Sequence, residues 1–310
     1  MTGRATFRPI VAGEAAWQKQ LRDRYTEPAP AVSLDLKTAV VRPITRAMAE
    51  RVILRYEWLG TLPPVQRYFG LFFGPYLAGV TAVAVGNGTA GAFTAMQYGL
   101  ERRELATLTR GACVHWAPPG TNSKLVSWTV RLLRELEPGA KLLVAYADSE
   151  AGEIGTIYQA SGWTFLGPGS RVIEYVSPAG KVYNTRALGA TSHDGGRVVA
   201  RGWAPTRGKD RTAKANAALL EAGWTKQWSN RKLRYCAIID RDDKILSSRI
   251  AAMALPYPKR PTTVAPGGEG ESDDALGFQP REEPSKASRR STTPKRVGIG
   301  PTRRKTKEAP

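Results

Sequence analysis

The chain has 310 residues, a formal net charge of +19 and 42% hydrophobic residues, enough apolar material for one large core or two modest ones. No run of about 18 apolar residues marks a membrane span. The N-terminus "MTGRATFRPIVAGEAAWQKQ" lacks the apolar stretch and cleavage site of a secretory signal, so a cytoplasmic protein is expected.

Cys113 and Cys236 stand far apart, and His115 and His193 are the only histidines. No zinc-ligand spacing results, and a reducing compartment fits. Residues 261–310 hold ten Lys and Arg against seven Asp and Glu, so most of the excess positive charge lies in the body of the chain. A field of that sign draws polyphosphate partners, nucleic acid first among them.

Taken in order, residues 1–37 form an N-terminal extension with a short helix at "AWQKQLRDRY" and a breaker at "TEPAPAVS". A core follows over 38–190. "TAVVRPIT" predicts a strand and "RAMAERVILRYEW" a helix, with Met48, Val52 and the pair Arg55 and Tyr56 near one face. "RYFGLFFGPYLAGVTAVAV" reads as two strands about a Gly-Pro turn, and "LATLTRGACVHW" as another strand. "TNSKLVSWTVRLLRELE" predicts a long helix with a stripe of Leu125, Thr129, Leu132, Leu133 and Leu136, turning Arg131, Arg134 and Glu135 outward. "KLLVAYAD" is a buried strand, "GEIGTIYQASG" a short helix closed by Gly162, and "WTFLG" and "RVIEYVS" further strands. Residues 191–260 are expected to pack on this core, with a helix around "AKANAALLEAG", a strand "LRYCAII" and an apolar piece "RIAAMALPYP". From 261 Pro, Gly, Ser and charge displace hydrophobic periodicity, which predicts a disordered basic tail.

Open α/β sheets bind ligands where strands end and helices begin. Three groups are expected at such an edge. The loop "APPGTNSK" opens the long helix with Asn122, Ser123 and Lys124 where an acid is usual. A lysine at a helix N-terminus is mildly unfavourable unless an anion sits there, which suits a phosphate; an ordinary Asn or Thr cap explains the pattern equally well. Tyr146 and Asp148 share a side of their strand by period two, with Asp148 at its carboxyl end, placed to accept a proton or to cap the next helix. Tyr158 is either a core aromatic or, if its hydroxyl reaches the mouth, a proton donor to a leaving group.

The helix "IYQASGW" after a strand and a phosphate-cradling helix resembles the GNAT acyltransferases, whose tyrosine protonates the coenzyme A thiolate; Tyr158, Gly162 and Trp163 match. The family's Gly-rich pyrophosphate loop is replaced by "PPGTNSK". More specifically, "LTRGACVHWAPPGTNSKLVSWTVRLL", "LLVAYADSEAGEIGTIYQASGW" and "RYEWLGTLP" resemble the phage Mom family over roughly residues 38–260. That family adds a carbamoylmethyl group to adenine N6 in duplex DNA, protecting phage DNA from host restriction. The resemblance implies a mixed GNAT-like sheet flanked by helices, an acetyl-CoA or related CoA-type donor, and double-stranded DNA as partner. Arg110, Asn122, Ser123, Tyr146, Asp148, Tyr158, Tyr56, Leu59 and Gly60 fall on motif positions.

Under this reading Asp148 or Glu57 accepts a proton, Tyr146 lies beside it, and Tyr158 serves the leaving group. Arg110, Asn122, Ser123, Lys124 and Gly155 hold the donor, while Tyr56, Trp58, Arg55, Arg67, Arg102 and Arg103 meet the DNA. Family members often read His-Tyr at Glu57–Trp58 and Gly-His at Gly152–Glu153. If those histidines act as a base or bind a metal ion, the two glutamates must replace them. Two other readings stay open: a GNAT-type acetyltransferase of a protein or small amine, and a DNA-binding protein on an inactive scaffold.

Overall fold

The computed structural model describes residues 25–57, 59–86, 94–180, 182–184, 219–229 and 231–259. The expected "AWQKQLRDRY" helix, most of the "AKANAALLEAG" helix, Trp58, and the tail from 261 lie outside these residues.

Seven strands form the central sheet in the order β1-β2-β3-β4-β5-β10-β6. They are β1 (Val40–Pro43), β2 (Arg67–Phe73), β3 (Tyr76–Val85), β4 (Leu105–Cys113), β5 (Leu142–Ala147), β6 (Thr164–Pro168) and β10 (Leu233–Ile238). Only β4 and β5 run parallel; every other neighbour is antiparallel. A second sheet orders β8 (Val182–Asn184), β7 (Ile173–Val176) and β9 (Thr225–Trp228). The result is the mixed α/β class expected, a mostly antiparallel sheet flanked by helices.

Helix α1 (Arg46–Tyr56) starts where the Thr45 side chain accepts the Met48 N–H, and Ala49, Val52, Ile53 and Tyr56 bury one stripe. Those positions recur at three- and four-residue spacing, the period that gives a helix one apolar face. The helix stops at Glu57, whose backbone turns extended.

Helix α2 (Thr121–Leu136) buries Leu125, Val126, Thr129, Val130 and Leu133. Leu136, assigned to the stripe by spacing, is exposed, and the buried face is rotated toward Val126 and Val130. Thr129 is fully buried because its hydroxyl donates to the Leu125 carbonyl at 2.9 Å and lies 2.8 Å from the Thr81 hydroxyl on β3. The same close approach explains Gly79 on β3: a Cβ there would sit 2.6 Å from Cys113 Sγ and 3.2 Å from Leu125.

The other face of β5 and β10 carries Leu142, Val144 and Cys236, packed under Ala95, Tyr98, Leu246 and Ile250. Leu246 and Ile250 belong to α4 (Lys244–Met253), where the sequence suggested only an apolar piece. Its two buried positions give a weak periodic signal. The helix is specified by the Asp243 side chain, which accepts the Leu246 N–H at 2.8 Å, and by the cluster it covers. Strand β9 was likewise not legible, since all four residues are exposed and only pairing with β7 holds them extended.

Candidate active site

Parallel pairing of β4 with β5 runs from Leu105↔Leu142 to Leu108↔Ala145 and then stops. The cause is a bulge in β4. Val83 of β3 faces Leu108 but Ala82 faces Arg110, leaving Thr109 unpaired, with its hydroxyl donating to the Ala82 carbonyl at 2.9 Å. Beyond the bulge β4 continues along β3 while β5 continues along β10, so the two parallel strands part at their carboxyl ends. A bulge bends its strand and ends local pairing, and such sites often border active centres.

Three segments border this mouth. The first is the end of α1. Glu57 is buried and accepts the N–H groups of Leu59 at 2.9 Å and Gly60 at 3.1 Å. Arg110 Nε lies 3.8 Å from its Oε2. Burial pushes the Glu57 carboxyl up to about 7, against the pull of Arg110 and the two N–H groups; the Glu153 charge pushes it further up. Glu57 and Glu153 are therefore electrostatic neighbours.

The second segment is the loop after β5 with the short helix α3 (Thr156–Ala160). The Tyr158 ring packs between Trp163 and Tyr235, with centroids 5.1 and 5.2 Å away. Burial, and next the Glu153 charge, drives its hydroxyl well above the ordinary tyrosine range, so it stays protonated. The third is the start of α2. Gly120 caps it with φ of +88° and no side-chain bond. Among the described residues the N–H groups of Asn122 and Ser123 have no hydrogen-bond partner. Unpaired N–H groups of this kind form an anion cradle.

These observations fit a phosphate-bearing donor: a gap between strands and a helix start with no side-chain cap and no acid in its first turn. Among the described residues no group of three or more His, Cys, Asp or Glu is arranged to hold a metal ion.

The model of the Mom protein family matches residues 38–259. The chain belongs to the Mom protein family. The Mom match takes in every helix and strand named above. No curated protein sequence matches the chain. Solved structures similar to it include FeeM, an N-acyl amino acid synthase from uncultured soil microbes (16% identity, 66% of this chain and 92% of that chain, TM-score 0.34). An N-acetyltransferase from Staphylococcus aureus Mu50 is similar at 10% identity over 65% and 97% of the two chains, TM-score 0.34. A Bacillus subtilis acetyltransferase in complex with CoA is similar at 10% identity over 64% and 97%, TM-score 0.33.

Within this Mom fold the residues expected at one cleft do not all meet. Glu57, Arg110, Glu153 and Tyr158 do, and Asn122 and Ser123 open the helix beside them. Tyr146 does not: it pairs with Arg234 across β5–β10, whereas Tyr235, next along β10, carries the ring against Tyr158. Adjacent strand residues face opposite sides, so Tyr146 and Tyr158 lie on opposite faces of the sheet. Asp148 sends its carboxylate to Lys232 Nζ at 2.6 Å, and its carbonyl accepts the N–H groups of Ala151 and Glu153. Asp148 lies one residue beyond β5, and its N–H donates to the Glu153 carboxylate at 2.9 Å, so it borders the site through its backbone while its side chain is held by Lys232.

The assigned donor-holding residues divide similarly. Arg110 donates to the Thr61 carbonyl at 2.9 Å, the Thr61 hydroxyl at 3.0 Å and the Thr109 carbonyl at 2.6 Å, which fixes the loop after α1. Asn122 Oδ1 accepts the Cys113 thiol at 2.6 Å. Lys124 Nζ points at the Leu36 carbonyl. Gly155 caps α3 with φ of +74°, and a Cβ there would come 2.3 Å from the Tyr235 ring, so aromatic packing explains this glycine.

Of the arginines expected on DNA, Arg55 pairs with Glu27 and lies over the Tyr25 ring. Arg67 bonds Glu137 and Leu136 at the C-terminal end of α2. Arg102, bonded to the Gly86 carbonyl at 2.6 Å, and Arg103, paired with Glu101 at 2.9 Å, precede the first residue of β4. Arg102 and Arg103 are thus at the other end of β4 from the mouth, and Arg67, level with Leu108 across the sheet, turns its side chain to the end of α2. Tyr56 is buried, its hydroxyl 2.8 Å from His115 Nδ1. His115 was missed in the sequence, where a lone histidine after a strand gives no signal. Its Nε2 lies 2.8 Å from the Glu27 carbonyl, so that nitrogen carries the hydrogen and Nδ1 accepts from Tyr56.

Proposed function

We propose that this chain is a transferase that places a carbamoylmethyl or related acyl-type group on N6 of adenine in duplex DNA, using a CoA-type donor. Membership of the Mom family supports the reaction class. The observation that carries the reading is Glu57: a buried carboxylate with a pKa of about 7, beside Arg110 and Glu153, at the mouth of the splayed parallel strands.

Adenine N6 is a weak nucleophile because its lone pair is delocalised into the ring, so an acceptor for its proton is required. A carboxylate titrating near neutrality is matched to that task, being ionised for part of the population yet basic enough to hold a proton. Glu57 takes the N6 proton on Oε1, since Oε2 is held by the Leu59 and Gly60 N–H groups. Arg110 restrains the carboxylate through the Thr61 loop and favours its charged form. Asp148, committed to Lys232, braces the end of β5 against β10.

When bound, the donor would supply the transferred group and a thiolate leaving group: a thioester C(O)–S bond would break to give an acyl group on N6, whereas a carbamoylmethyl group, joined through a CH2, would require a CH2–S bond to break. The N–H groups of Asn122 and Ser123 would hold its phosphates, and the gap beyond Leu108 and Ala145 would admit its chain. Tyr158 holds a proton on Oη at the same gap, available to a departing thiolate. In a duplex N6 is paired, so the base must leave the stack, at a cost of a few kcal/mol that backbone contacts offset.

The test is direct. The chain is expressed in a bacterium, its DNA digested to nucleosides, and the deoxyadenosines weighed. A heavier deoxyadenosine carrying a carbamoylmethyl or acyl group is expected, and Glu57→Gln should abolish it. Unmodified adenine from cells that accumulate the folded protein would refute the reading.

A further inference from the structure

A second concave surface extends from the Ser161–Trp163 turn behind the mouth. It is a cleft of about 660 Å3 between the outer side of α2, the end of α3, the start of β6 and the junction of β10 with α4. Arg131 and Arg134 of α2 line it on one side, with Arg241 and Lys244 opposite. Ser127, Arg131 and Arg134 are spaced i, i+4 and i+7, so they share one stripe of the helix. No Asp or Glu is among the lining residues.

The charge of this cleft is uncompensated. The neighbouring acids turn elsewhere: the Asp243 carboxylate accepts the Leu246 N–H and meets Lys141 at 3.2 Å, and Asp240 accepts the Asp242 N–H at 3.0 Å. Among the described residues none of the four cations pairs with an acid. Neutral groups position three of them. The Arg131 guanidinium lies 5.0 Å from the Trp128 ring, Arg134 Nε donates to the Ile239 carbonyl at 2.7 Å, and Lys244 Nζ donates to the Arg241 carbonyl at 3.3 Å. Four like charges in one concavity repel each other, and a concavity of one sign focuses its field on an incoming polyanion.

We infer that this cleft grips the phosphate backbone of a DNA duplex whose target base is worked on at the mouth. The inference rests on the DNA reading above. The donor's phosphates already have the start of α2; the near end of the cleft adjoins it through Ser161, whose hydroxyl donates to the Ser123 carbonyl at 3.3 Å, but the cations lie further along, with Arg131 eight residues beyond Ser123, about 12 Å along the helix. A duplex carries a charge about every 1.7 Å of its length, so backbone phosphates reach the cleft a few base pairs from a base at the mouth. Cations and hydroxyls without a planar reader of base edges give contacts that position and do not select sequence.

The test is the double variant Arg131→Glu with Arg241→Glu, neither of which donates a hydrogen bond to the fold. Binding of a fluorescent duplex of about 25 base pairs is followed by anisotropy between roughly 50 and 200 mM salt. The expected result is a loss of affinity of about tenfold or more, and a slope of log K against log salt shallower by about 2. Coenzyme A binding, measured by calorimetry, and the unfolding midpoint should stay at wild-type values. If the reversed pair unfolds, Arg131→Gln with Arg241→Gln reads the same slope with a smaller loss. Wild-type duplex affinity and salt slope in a folded variant would overturn the inference and leave the DNA reading standing. Loss of coenzyme A affinity alone would overturn it too, giving the cleft to the donor. A wild-type chain that binds no duplex sinks the DNA reading itself, and this inference with it.

Discussion

Glu57→Gln tests the central group of the site without any substrate. The unfolded chain releases the Glu57 proton near 4.5, the folded chain only near 7. Between these values the folded state binds more protons than the unfolded one, so stability falls as pH rises. Each pH unit of separation is worth about 1.4 kcal/mol, and across the interval from pH 5 to pH 8 Glu57 alone removes about 2.5 kcal/mol. Glutamine is isosteric, keeps an acceptor for the Leu59 and Gly60 N–H groups, and does not titrate. Wild type and variant are unfolded in urea at intervals from pH 5 to pH 8. Their difference in free energy should drift by about 2.5 kcal/mol in favour of the variant as pH rises, most of it between pH 5 and pH 7. Comparing the two proteins cancels the titrating groups that do not interact with Glu57. Parallel stability curves would mean that Glu57 ionises as an ordinary surface carboxylate, and its role as a near-neutral proton acceptor would fall with them.

Other outcomes follow from the same geometry. DNA modification by the wild type should rise with pH through a midpoint of about 7, measured as modified deoxyadenosine formed per unit time with saturating donor. Tyr158→Phe should remove most of the product while shifting stability by less than about 1 kcal/mol, because the ring contacts with Trp163 and Tyr235 survive; urea unfolding and nucleoside mass spectrometry separate the two effects. Gly155→Ala should cost about 2 to 3 kcal/mol, since positive φ and the Tyr235 ring both oppose a Cβ; Gly162→Ala, at φ +69° in open space, should cost only about 1 kcal/mol. Equal losses in the two glycine variants would remove the packing explanation. In the buried hydroxyl pair, Thr129 spends its hydrogen on Leu125, so Thr81 donates to Thr129. Thr129→Val should therefore destabilise by about 1 to 3 kcal/mol and more than Thr81→Val, with the double variant no worse than Thr129→Val, as a double-mutant cycle would read.

Much of the fold was legible locally. The alternation and apolar runs of β2 to β5, the 3.6-residue stripe of α1 and the long apolar face of α2 report burial that each element needs whatever its partners, so sequence alone determined them. The same holds for Gly162, whose positive φ closes a helix where glycine is tolerated best; the start of α2 was not legible, since Gly120 caps it in place of the expected Asn or Thr. Elements stabilised mainly by what they touch were not legible: α4 with two buried residues, β9 with none, and the rotation of the α2 face toward Val126 and Val130.

The site divides along the same line. The sequence carried the residue types at the right ends of strands and helices, and it matched the Mom motifs that brought Glu57, Arg110, Asn122 and Tyr158 into consideration. It did not separate the faces of β5, so Tyr146 was grouped with a tyrosine on the other side of the sheet, and it did not show that the Asp148 carboxylate is taken by Lys232. Nor did it reveal that Glu57 and Glu153, nearly a hundred positions apart, share one field, or that Arg131, Arg134, Arg241 and Lys244 converge on one cleft. A carboxylate's pKa and a cleft's charge depend on distance and on excluded water, and these exist only once β4 bulges away from β5 and β10 closes the sheet beside it.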